Sequence, residues 1–179
     1  MKKVLVISTS LRPVSNSDML ADAFAEGAAE AGHAVEKVSL RGKRLGFCTG
    51  CLACQKTQRC VIPDDAPEIV QKIKESEVVA FATPVYYYEM SGQMKTLLDR
   101  ANPLFPGEYA FRDIYLLASA GEDDERAVDG PLHGLEGWVR CFEKCRMAGV
   151  LRGVGVTAPG DVREKPDLLE AARRMGQSC

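Results

Sequence analysis

The strongest constraint on this chain is an alternation. Short, wholly apolar runs rich in β-branched residues recur between longer segments of helical period. The first, Val4-Leu5-Val6-Ile7 within Lys3–Ser8, is continuously apolar, as expected of a strand covered on both faces. Ser17–Glu30 follows as a helix, with Leu20, Phe24 and Ala28 at four-residue spacing and Gly32 as its stop. Ala34–Leu40 reads as a more amphipathic strand at the sheet edge. Asp65–Glu75 reads as a helix opened by Asp65 with Glu68 three residues on, a capping-box pattern. Beyond it the chain predicts strand Glu77–Thr83, helix Ser91–Ala101, strand Arg112–Ala118 and a helix from about Gly130 to Ala148. Strand Val150–Thr157 and helix Pro166–Met175 complete the series. Such alternation demands right-handed crossovers and a parallel sheet with helices on both faces. Five strands suit the doubly wound order 2-1-3-4-5, an α/β three-layer αβα sandwich. With 179 residues and no repeat or linker, one domain is expected over 1–179, carrying a cysteine-rich loop at 47–63.

Charge narrows the function. Lys plus Arg number 23 against 25 for Asp plus Glu, a formal charge of −2. That balance gives no basic footprint for nucleic acid and no polybasic membrane patch. The apolar runs are too short for a signal-peptide core or a spanning helix, so a soluble cytoplasmic protein is expected.

In a doubly wound sheet ligands bind beyond the carboxyl ends of the strands, where the strand order reverses. The loop after strand one, Ser8-Thr9-Ser10-Leu11-Arg12-Pro13-Val14-Ser15-Asn16-Ser17, runs straight into a helix N-terminus that favours a phosphate. Its hydroxyls, Asn16 and Arg12 are further donors. It has no glycine, which argues against a pyrophosphate held by close backbone approach, and no Gly-Lys-Ser/Thr. A single terminal phosphate is the expected ligand; the simpler reading is that Ser15 or Ser17 only caps the helix. After strand three, Thr83-Pro84-Val85-Tyr86-Tyr87-Tyr88-Glu89 puts three tyrosines where they can flank a flat aromatic ring, or pack on neighbouring helices or an interface. Ser119-Ala120-Gly121-Glu122, after strand four, offers small residues and free N–H groups to the ligand's other edge, or is a plain turn.

The cysteine pattern is Cys48-x2-Cys51-x2-Cys54-x5-Cys60. Three thiols at successive two-residue gaps resemble the wrap around an iron–sulfur cubane, and Gly50 lets the backbone turn tightly. Zinc, which favours two separated Cys-x2-Cys knuckles, is the second choice, and after loss of a cluster the loop would hold reduced thiols or disulfides. Cys141 and Cys145 fall at i, i+4 in the expected Gly130–Ala148 helix, as buried small hydrophobes. His33 and His133 have no evident partner, and Asp64 and Asp65 read as helix caps. No Ser-His-Asp set and no carboxylate pair stands out, so no catalytic side chain is expected: a bound cofactor supplies the chemistry.

The stretch from Val4 through Arg12 to Ser15-Asn16-Ser17 resembles the phosphate loop of the NADPH-dependent FMN reductase family, with Thr9 and Leu11 where that family carries Gly and Pro. Thr83 to Tyr87 resembles its second flavin loop, and Met94-Lys95 to Asp99-Arg100 the helix after it. Cys48-Thr49-Gly50-Cys51 to Cys60-Val61-Ile62-Pro63-Asp64-Asp65 resembles the compact motif of iron–sulfur flavoproteins. The likeness runs from Met1 to about Thr157. It implies a flavodoxin-like fold in which Ser10, Arg12, Ser15, Asn16 and Ser17 hold the FMN phosphate. Pro84, Val85, Tyr86 and Tyr87 would line the isoalloxazine, with Ser119 and Gly121 facing them. Cys48, Cys51, Cys54 and Cys60 would ligate a [4Fe–4S] cluster. Implied with these are a homodimer or homotetramer and hydride transfer from NAD(P)H to flavin N5, then electrons to a quinone, flavin or protein acceptor. The rival readings are an iron–sulfur flavoprotein electron carrier without a nicotinamide site, and a zinc- or thiol-based regulatory module.

Overall fold

The computed structural model describes residues 1–105 and 107–179. Its strands are β1 (Lys3–Ser8), β2 (Ala34–Ser39), β3 (Val78–Tyr86), β4 (Glu89–Met90), β5 (Asp113–Ser119) and β6 (Arg146–Gly153). Its α-helices are α1 (Asn16–Glu30), α2 (Ala53–Thr57), α3 (Ala66–Glu75), α4 (Gly92–Arg100), α5 (Asp129–Val139) and α6 (Pro166–Gln177). The sheet order is β2-β1-β3-β5-β6, all parallel, with β4 paired antiparallel to the end of β3. The five parallel strands thus take the expected doubly wound order. The sixth, two-residue strand is an addition the sequence reading did not contain.

Alternate side chains of the strands feed two cores. Leu5, Ile7, Val79, Phe81 and Leu116 face α3, α4 and α5 through Ile73, Met94, Leu97 and Leu135. Val4, Val6, Val78, Ala80 and Leu117 face α1 and α6 through Leu20, Phe24 and Ala172. A strand buried on both faces has no polar positions to alternate, which is why Val4–Ile7 of β1 and Val78–Ala82 of β3 are apolar throughout. Among the described residues, no helix is long and apolar enough to cross a membrane.

Three local expectations are corrected. The helix drawn over Gly130–Ala148 ends at Val139, and β6 begins at Arg146 and ends at Gly153, not Val150–Thr157. Leu135, Val139 and Phe142 keep a helical rhythm, but Phe142 is buried from a turn, edge-on to Phe111 and Tyr109 and tilted against Trp138. Cys141 and Cys145 therefore share no helix face. Cys141 is exposed, and Cys145 is half-buried after the helix, its thiol pushed up to about 11 by burial. Finally, no capping box forms at α3. Asp65 has helical backbone and its carboxylate accepts from Arg44 N–H at 2.6 Å, while Asp64 accepts from Ala66 N–H at 3.0 Å.

Candidate functional site

The carboxyl ends of β1, β3, β5 and β6 converge on a cleft of about 150 Å3. Ser10, Arg12, Ser15 and Asn16 come to it from the β1 loop, and Pro84, Val85 and Tyr86 from the end of β3. Ser119 and Gly121 line it after β5. Val156 and Thr157, from the loop after β6, complete it and were not foreseen. They lie at the edge where every parallel strand ends, but reading Val150–Thr157 as one strand hid the loop. Two expected residues lie elsewhere. Ser17 is buried with its hydroxyl 3.0 Å from that of Ser15, and Tyr87 lines a second, outer cavity of about 460 Å3. Val85, Gly121 and Thr157 border both cavities.

The β1 loop is held from several sides. Thr9 donates its N–H to Ala82 O at 2.9 Å and its hydroxyl to the same carbonyl at 3.0 Å. That hydroxyl also lies 3.0 Å from the Ser91 hydroxyl, which caps α4 by accepting from Met94 N–H. A buried threonine thus fastens the loop to β3 and α4. The Asn16 amide donates to Val156 O (3.2 Å) and Ala158 O (2.9 Å), and its oxygen accepts from Val162 N–H (3.2 Å). With both donors and the acceptor engaged, the Asn16 side chain shapes the cleft, and only its backbone N–H is left for an anion. Ser15 caps α1, accepting from Asp18 N–H at 3.4 Å. The first turn of α1 leaves N–H groups without intrahelical acceptors, and Arg12, which donates to Thr157 O at 2.9 Å from an exposed position, adds a cation. The chemistry of the inner cleft therefore suits a terminal phosphate. Gly121 brings the chain close to Thr157, since a Cβ there would sit 2.7 Å from the Thr157 hydroxyl oxygen and the threonine side chain would have to turn away.

At the outer cavity β3 turns back into β4 through Tyr87 and Tyr88, both left-handed, with φ of 50° and 63°. A two-residue type I′ hairpin needs positive φ at both positions and is usually built from Asn and Gly. Two tyrosines here carry backbone strain and stand 100% and 60% exposed. The Tyr88 hydroxyl donates to Glu122, whose charge holds the phenol above its ordinary range. Gly130 of α5 admits the hairpin, since a Cβ there would meet the Tyr88 carbonyl.

The cysteine loop hangs from a neck. Asp65 N–H donates to Arg44 O at 3.1 Å, and Gly46 N–H donates to Asp64 at 2.7 Å. Through the neck passes Arg100, its side chain fully buried, paired to the Asp64 oxygens at 2.6 and 2.8 Å. Desolvation pushes the Asp64 carboxyl up, but hydrogen bonds from Arg100, Gly46 N–H and Ala66 N–H outweigh it and hold the group below its ordinary range. Above the neck all four cysteines are free. Cys54 is buried, Cys60 half-buried, Cys48 and Cys51 exposed. Arg100 Nε donates to Cys60 Sγ and Asn102 Nδ2 to Cys54 Sγ, each at 3.2 Å. Hydrogen bonds from Ala53 N–H and the Thr49 side chain hold the Cys51 thiol below its ordinary range. Among the described residues, no three Cys, His, Asp or Glu side chains gather closely enough to hold a metal ion. As a donor set the loop still suits a cluster: four thiols on one excursion, two of them already given N–H donors.

Residues 2–128 match the NADPH-dependent FMN reductase family. An iron–sulfur flavoprotein of Methanocaldococcus jannaschii is 30% identical over 98% of this chain and 94% of its own length. One from Archaeoglobus fulgidus is 35% identical over 96% of this chain and 76% of that protein. Among solved structures, the NAD(P)H:quinone oxidoreductase from Methanothermobacter marburgensis superimposes with a TM-score of 0.78, at 23% identity, covering 99% of this chain and 95% of that one. That likeness carries the fold alone, a flavodoxin-like sheet. The match over most of the chain, with the Methanocaldococcus jannaschii relative aligned nearly end to end, places this protein in the NADPH-dependent FMN reductase family of flavin oxidoreductases.

Proposed function

We propose that the chain is an FMN-dependent NAD(P)H oxidoreductase that delivers electrons to a quinone, flavin or protein acceptor. The observation that carries this reading is the phosphate-sized cleft at the N-terminus of α1, continuous with an aromatic-rimmed outer cavity. The inner cleft offers the α1 N–H groups, the Ser10 hydroxyl and the Arg12 guanidinium to a phosphate. Pro84, Val85 and Tyr86 on one side and Ser119 and Gly121 on the other give a flat ring walls and backbone N–H groups. When bound, FMN supplies two-electron hydride chemistry with reduced nicotinamide, and a [4Fe–4S] cluster supplies single-electron transfer. Cys48, Cys51, Cys54 and Cys60 would hold that cluster. The scarcity of acid, base and nucleophile around the cleft fits a cofactor-borne reaction.

A homodimer or homotetramer, as the family resemblance implies, would cover exposed aromatics such as Tyr87, Phe47 and Phe105. The experiment is FMN titration of Arg12→Ala beside wild type, followed by steady-state NAD(P)H oxidation. Loss of one charge-assisted bond, about 1.5–3 kcal/mol, weakens FMN roughly 10- to 150-fold. Unchanged affinity sinks the phosphate assignment, and a flavin-loaded protein that does not oxidise NAD(P)H is an electron carrier instead.

A further inference from the structure

Arg100 has five N–H donors, and four go to oxygen: two to the Asp64 carboxylate, one to Gly46 O at 2.7 Å and one to Ile62 O at 3.4 Å. The fifth, on Nε, is aimed at Cys60 Sγ. Two residues on, Asn102 turns its amide N–H to Cys54 Sγ. A neutral thiol is a weak acceptor, and a buried N–H spent on it gains little. The same N–H directed at an anionic, metal-bound sulfur is a charge-assisted bond of the kind that orients ligands and sets potentials. The end of α4 and the turn that follows it thus present two donors to two of the four cysteine sulfurs. The α4 N-terminus, at Ser91, is fastened to the flavin-side Thr9.

We propose that Arg100 and Asn102 are positioning residues for an iron–sulfur cluster, each fixing one ligand sulfur, Cys60 and Cys54, and tuning the cluster's potential through these sulfur hydrogen bonds. This deepens the cluster reading above and rests on it. Arg100 also neutralises buried Asp64, so Arg100→Lys is the informative change: it keeps the charge and removes the Nε donor. Asn102→Ala removes the other donor at a site away from the ion pair.

Wild type and both variants are reconstituted anaerobically with iron and sulfide in the presence of FMN. The readouts are iron release to a chelator, the midpoint potential and electron paramagnetic resonance spectrum of the cluster, and FMN content. Each variant is expected to keep FMN, to hold iron about 10- to 100-fold less tightly than wild type, and to show a more negative potential. Wild-type retention and potential in both variants overturn the proposal while leaving the cluster reading intact. A wild-type protein that binds FMN and takes up no iron overturns both. Should Arg100→Lys lose FMN together with iron, its effect is general unfolding. Asn102→Ala then decides alone, for or against.

Discussion

The β1 loop and the cysteine loop are anchored to opposite ends of the same nine-residue helix, α4, a span of about 14 Å. They are held in opposite ways. The β1 loop is tied along its length, by Thr9 to β3, by Ser15 to α1 and by Asn16 to the chain after β6. The cysteine loop is tied at its neck by Arg100 and Asp64, and at two sulfurs above it, while Cys48 and Cys51 stand exposed. A site fastened at many points keeps its shape without its ligand. A site fastened at a neck keeps its ligands near one another but leaves part of their arrangement to the ligand.

The largest effect should come from cutting the neck. Asp64→Asn leaves the buried Arg100 guanidinium uncompensated, and breaking such a pair costs about 3–5 kcal/mol. Denaturant unfolding should show that loss, together with faster proteolysis between Gly46 and Asp64. The change also carries a pH signature. Asp64 titrates lower in the folded chain than its ordinary 3.8, so its stabilisation is present above that value and is lost as pH falls through the lower, folded value. Wild-type stability should fall on that acid limb, and the Asn variant should lack that part of the fall. Identical acid limbs would mean that the pair does not hold the neck.

Asn16→Ala tests the other region. It strands the buried Val156 carbonyl and the Val162 N–H, while the Ala158 carbonyl lies at the surface and keeps the Asp161 N–H, and about 2–3 kcal/mol is expected because water can reach part of the gap. FMN affinity should fall with stability, although the side chain's polar atoms are all spent within the protein. Alkylation of Cys48 and Cys51 should stay at the wild-type rate. If their labelling quickens as well, the two regions are coupled and the contrast fails.

The smallest effect is at the hairpin. Replacing Tyr87-Tyr88 with Asn-Gly satisfies the two positive φ positions and should raise stability by about 1 kcal/mol, visible as a higher Tm. Reduction of bound flavin by NAD(P)H should slow in the same variant if the tyrosines shape the outer cavity. An unchanged rate would leave them as turn residues only.

Much of this was legible from residues. The apolar runs marked β1 and β3 because full burial erases polar positions. The loop after β1 declared itself by donors ahead of a helix start. Other features left weaker traces. Tyr87-Tyr88 has none of the Asn, Gly or Asp that mark a tight hairpin, so β4 stayed hidden. Arg146-Met147-Ala148 has helix-forming composition, yet pairing with β5 pulls it into the sheet, tertiary context overriding local preference. Arg100 looked like one more basic residue at a helix end. Its meaning lies in partners 36 and 40 residues away, which no local pattern reports.

The bonds of Asn16 also set a schedule. Val162, its farthest partner, lies 146 residues downstream, and α6, which packs on α1, lies later still. At about 5–20 residues per second, roughly 7–30 s of synthesis separate Asn16 from Val162. Until then a nascent chain has β1 and α1 but lacks the contacts that give their loop its shape. Arg100 and Asn102 emerge only 40 and 48 residues after the cysteines they touch. On the ribosome, the thiol-bearing neck can close while the β1 loop is still slack.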